Sequence, residues 1–100
     1  MKYNKLVRDK IPEIITQKGG TPITHIATED EYWQKLKEKL IEEAEEFDKD
    51  ETITELADIL EIIDAILEYK KFDKNEIKKT KIERAEERGI FIKRIILEES

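Results

Sequence analysis

The chain has 100 residues, 44% of them charged and 38% hydrophobic, with a formal net charge of -6 and an isoelectric point near 5.0. That length suits one domain over 1–100, in which folding buries only about two thirds of the unfolded surface, so association is a natural way to enlarge the core. The acidity argues against a general nucleic-acid surface, and a chain with no cysteine has no disulfide scaffold or thiolate metal site. No run approaches the roughly 20 apolar residues of a bilayer span, and MKYNKLVRDK holds no apolar stretch of signal-peptide length. A soluble, cytoplasmic protein without membrane or nucleic-acid partners is expected.

The first predicted element is a short helix at about 8–18, closed by Gly19-Gly20. TPITHIAT (21–28) follows, rich in β-branched residues. A longer helix at about 29–48 carries Trp33, Leu36, Leu40, Ala44 and Phe47 as a single apolar stripe. Next comes a helix at about 52–71 that is apolar nearly all round, through Ile53, Leu56, Ala57, Ile59, Leu60, Ile62, Ile63, Ile66 and Leu67. Such a helix needs cover on several sides, and another subunit is the expected source of part of it. A fourth helix at about 73–88 ends at Gly89. The fold class is mainly all-α, a bundle of about four helices. The β-branched segments 21–28 and 91–97 (FIKRIIL) could pair beside it as a small two-stranded ribbon.

The chemistry lies in EEAEE at 42–46 and ELAD at 55–58. Glu43 and Glu46 are i and i+3 on one helix, and Glu55 and Asp58 repeat that spacing on the next. Antiparallel packing of the two helices would gather four carboxylates beside apolar stripes. Such a cluster repels itself unless protonated or neutralised, and hard oxygen ligands at that density suit Mg²⁺ or Mn²⁺. Because Mg²⁺ usually shares itself with substrate phosphates, the pattern points to phosphate chemistry. Simpler readings exist: EEAEE alone describes many solvated helix faces, and Thr52-x-x-Glu55 fits a capping box. Neither accounts for Asp58.

Glu42-Glu43-x-x-Glu46 followed by Glu55-x-x-Asp58 resembles the E-E-x-x-E…E-x-x-D signature of the MazG-like, all-α NTP pyrophosphatase superfamily. The opening YNKLVRDKIPEII and the closing RGIFIKRIIL are similar to its small single-domain branch, described as predicted house-cleaning, noncanonical NTP pyrophosphatases. The resemblance implies that Glu43, Glu46, Glu55 and Asp58 ligate Mg²⁺. Glu42 would orient a ligand, act as the catalytic base or simply face solvent. It also implies hydrolysis of a nucleoside triphosphate to the monophosphate and pyrophosphate by a homodimer or homotetramer, with no covalent nucleophile.

Basic residues should complete a phosphate site, and Arg8, Lys10, Lys81, Arg84 and Arg88 are the candidates among 19 lysines and arginines. His25 is expected to be structural. Trp33 belongs to the core stripe; Tyr32, and more remotely Phe91, could stack on a base. Other readings of the same acids are a phosphoribosyl-ATP pyrophosphatase-like enzyme and a non-catalytic nucleotide-binding helical module.

Overall fold

Two threonines determine where the long helices begin. Thr28 and Thr52 both lie in extended conformation, and each hydroxyl accepts the backbone N–H three residues on, from Glu31 and Glu55, at 3.3 Å. Only half of the expected capping box forms at Thr52: its own N–H bonds the Asp50 carbonyl at 2.7 Å, which frees the Glu55 carboxylate for other contacts.

The computed structural model describes residues 4–100 and contains four helices among them, α1 (Ile11–Gln17), α2 (Glu29–Lys49), α3 (Ile53–Lys70) and α4 (Lys74–Arg88). Tyr3 of the opening motif lies outside the described residues. The fold class is the expected one, with each helix close to its predicted span. The short link between α2 and α3 turns the chain back on itself, and these two helices form the principal packing unit as an antiparallel hairpin. Trp33 near the start of α2 stacks on Tyr69 near the end of α3, with ring centroids 5.1 Å apart and planes 4° from parallel. Tyr32 meets Tyr69 edge-on at 5.6 Å. Lys37 and Lys70 approach the Trp33 ring to 5.2 and 5.0 Å, so their ammonium groups add cation–π attraction to this end of the hairpin.

Leu36 is completely buried, whereas Trp33, Leu40 and Phe47 are half-buried and Ala44 is exposed. Inside α3, Ile59, Ile62 and Ile66 turn toward α2 and are half-buried. Ile53, Leu56, Leu60 and Ile63 turn outward, with Ile53 87% and Leu60 62% exposed. The chain exposes 9695 Å², where a compact protein of its mass would expose about 6,000 Å². Its radius of gyration is 17.8 Å, against about 13 Å for a compact chain of this length.

The expected ribbon is absent: neither 21–28 nor 91–97 is in a strand. Pro22 lacks an N–H for a ladder, and the His25 ring is drawn to the Glu31 carboxylate at 3.0 Å, tying the segment to the start of α2. A turn closed by the Arg94 N–H on the Phe91 carbonyl, with Arg94 at φ 59°, breaks 91–97. β-branched composition gave both segments extended propensity but no face on which to pack.

Two helices end in the same motif. At α1 the N–H groups of Gly19 and Gly20 bond the carbonyls of Thr16 and Ile15, at 3.0 and 2.9 Å. At α3 those of Lys71 and Phe72 bond Glu68 and Leu67, at 3.2 and 2.9 Å. The left-handed position is Gly19 in the first and Lys71, at φ 56°, in the second. A lysine there bears a Cβ clash that glycine avoids. Lys71→Gly is expected to stabilise the chain by about 0.5–1 kcal/mol after allowing for the more flexible unfolded state, read as a rise in the thermal unfolding midpoint. A fall would show that the Lys71 side chain makes a compensating contribution.

Candidate functional site

Near the turn of the hairpin, about 15 Å along α2 from the aromatic cluster, the acidic pairs face one another. One carboxylate oxygen each from Glu43, Glu55 and Asp58 lies within 4.8 Å of the other two. Glu43 is only 9% exposed, a burial that only Leu36 exceeds among the described residues. It continues the apolar stripe one turn beyond Leu36 and Leu40, which is why a charged side chain points inward. Glu55 and Asp58 share the face of α3 that carries Ile59 and Ile62.

Glu46 stands outside this triplet on an exposed part of α2, yet close enough for its charge to act on Glu55. Burial pushes the Glu55 carboxyl above its ordinary pKa, and the charges of Asp58, Glu43, Glu46 and Asp50 push it further in the same direction. The folded state therefore holds the Glu55 proton more tightly than the unfolded state. This stabilisation is present below the unfolded pKa and is lost as pH rises through the folded one. Metal-free protein is thus expected to gain stability as pH falls from neutrality toward the ordinary carboxylate range, less steeply in Glu55→Gln, where that proton is gone. Identical slopes in thermal melts of the two proteins would contradict the assignment.

The N-terminal segment crosses this end of the hairpin. The Arg8 guanidinium donates to Asp58 Oδ1 at 2.8 Å, and the Lys5 ammonium lies 3.3 Å from Glu42 Oε1. Between the segment and the hairpin is a cavity of about 240 Å³ lined by Val7, Arg8, Ile11, Lys39, Glu43, Asp58, Glu61 and Ile62. The segment's wall is cationic and apolar, and the hairpin's wall sets Lys39 and Ile62 among three carboxylates.

Of the predicted residues, Arg8, Glu43, Glu55 and Asp58 come together, with Glu42 and Glu46 beside them. Lys10 is exposed at the start of α1, and Lys81, Arg84 and Arg88 are exposed on α4; none of the four lines the cavity. Tyr32 is engaged with Tyr69. Burial raises its hydroxyl pKa, as do Glu68 and Asp9. Phe91 is 97% exposed on the C-terminal segment.

Lys39 was missed by sequence reasoning. Its ammonium lies 3.3 Å from Glu43 Oε1 and 3.6 Å from Glu42 Oε1. The available signal was its position three and four residues before the paired glutamates, where helical neighbours meet. No sequence signal marked Lys5.

All-oxygen donors suit a hard divalent cation. Around Mg²⁺ adjacent oxygens stand about 3 Å apart and opposite ones about 4.2 Å, so three oxygens within 4.8 Å of one another would be drawn together by side-chain rotation on binding.

No family model and no solved structure matches the chain. A protein of Mycolicibacterium smegmatis (strain ATCC 700084 / mc(2)155), described as an uncharacterized protein, is 50% identical over 42 residues, which are 42% of this chain and 43% of that relative. The match therefore spans less than half of the relative's length. No helix among the described residues is long and apolar enough to cross a membrane.

Proposed function

We propose that the protein is a MazG-like, Mg²⁺-dependent nucleoside triphosphate pyrophosphohydrolase that releases the monophosphate and pyrophosphate. The observation that carries this reading is the convergence of Glu43, Glu55 and Asp58 within 4.8 Å beside Arg8. These three carboxylates hold the metal, with Glu46 the fourth acid within reach. When bound, Mg²⁺ offsets charge on the phosphate oxygens and activates a water molecule. Glu42, held by Lys5 and Lys39 at the edge of the triplet, is the candidate base. Arg8 binds phosphate; Lys10, Lys81 and Arg88 are further candidates that need a rearrangement or a second subunit to reach it.

The excess exposed surface and the outward apolar stripe of α3 favour a homodimer or homotetramer. House-cleaning of non-standard nucleotides in the cytoplasm fits the sequence resemblance. A panel of standard and modified nucleoside triphosphates with Mg²⁺, followed for pyrophosphate release, tests the activity. Pyrophosphate and monophosphate in equal amounts support it. Orthophosphate as the direct product, or no turnover of any member, contradicts it.

A further inference from the structure

Two cations lie on the carboxylates that would hold the metal. Arg8 holds Asp58 at 2.8 Å from the N-terminal side, and Lys39 holds Glu43 at 3.3 Å from within α2. All four residues line the same 240 Å³ cavity. The Lys39 side chain is only 22% exposed, so its ammonium is confined to the cavity edge, within 4 Å of two acids.

The geometry points to a charge exchange, resting on the reading of these acids as a metal site: Lys39 and Arg8 are its resident counter-cations, released from Glu43 and Asp58 when a divalent ion is held and then available to the phosphate of the substrate. Electrostatics gives the two steps opposite signs. A cation beside a carboxylate opposes a second cation there, so Lys39 and Arg8 weaken metal binding. With metal in place their charge faces a cavity that must take a polyanion, so they strengthen phosphate binding. A basic residue serving only the fold would not move the two affinities in opposite directions.

The experiment uses Mn²⁺ and inorganic pyrophosphate as probes. Mn²⁺ affinity is read from the loss of the free-ion electron paramagnetic resonance signal, and pyrophosphate affinity for the Mn²⁺-loaded protein from calorimetry. In Lys39→Gln, Mn²⁺ is expected to bind about two- to fivefold tighter, and pyrophosphate at least about tenfold more weakly. Lys39→Arg should restore pyrophosphate binding. Lys35→Gln, which removes a pair with Glu38 one turn earlier on α2, should change neither constant. Arg8 is 57% exposed, so Arg8→Gln provides an independent variant if Lys39→Gln does not fold, with the same opposed shifts expected. Unchanged constants, or weakening of both together, would overturn the exchange while leaving the metal site standing. Wild-type protein that takes up no Mn²⁺ at millimolar concentration would remove the metal site itself.

Discussion

Asp58→Ala is expected to lower metal-dependent pyrophosphate release by at least about a thousandfold, while circular dichroism still reports the helices. Among the described residues Asp58 supplies one of the three converging carboxylate oxygens, and losing a metal ligand there would remove charge stabilisation worth several kcal/mol, each 1.4 of which is about tenfold in rate. The fold should tolerate the change. The pair Asp58 makes with Arg8 is well exposed on the arginine side, and such pairs contribute about 0.2–1 kcal/mol. Against that small loss stands relief for Glu55, on which Asp58 exerts the largest push of its charged neighbours. Metal-free Asp58→Ala should therefore melt close to the wild type. Added Mn²⁺ should raise the melting point of the wild type alone. Retention of activity within tenfold of wild type would move Asp58 out of the metal site.

In sedimentation at micromolar concentration the wild type is expected to run as an oligomer and Leu60→Asp as a monomer. Ile53, Leu56, Leu60 and Ile63 are spaced by three and four residues, a continuous stripe on the face of α3 turned away from α2. Their exposure lies within the roughly 60% excess of total surface over that of a compact chain. Two copies packed stripe to stripe would bury Leu60 twice about a two-fold axis. Losing each leucine while desolvating an aspartate costs about 2–4 kcal/mol, and doubled by symmetry this weakens the dissociation constant by at least about a thousandfold. A wild type that already sediments as a monomer would refute this role for the stripe.

The helix boundaries were legible because local chemistry defines them. Thr28 and Thr52 are good N-caps, Gly19-Gly20 is a good stop, and apolar residues recur with helical period. The inward direction of Glu43 was legible for the same reason, since it continues the stripe of Leu36 and Leu40. The phase of α3 was not. A helix apolar nearly all round has no preferred face, so spacing alone does not separate Ile59, Ile62 and Ile66, which turn toward α2, from Leu56 and Leu60, which turn outward. Ala44 was misread because its spacing fits the stripe, but a methyl group adds little apolar surface to draw it inward. Lys39 looked like one more solvated lysine because its i, i+3 and i, i+4 pairs with Glu42 and Glu43 are common on any charged helix, and only the burial of Glu43 sets them apart.

The tight connection between α2 and α3 also bears on the order in which the site assembles. Glu43, Glu55 and Asp58 are neighbours along the chain, and a short loop closure brings them together. Arg8 reaches Asp58 across 50 residues, a longer closure that costs about 0.6 kcal/mol more for each doubling of length. The acids can therefore meet in a folding hairpin before the N-terminal segment arrives, and at that stage their mutual repulsion works against the hairpin. Lys39, already on α2, is the one counter-charge that travels with them. The N-terminal segment closes on the acids last, and its release would take away the Val7, Arg8 and Ile11 wall of the cavity while leaving the α2–α3 hairpin paired.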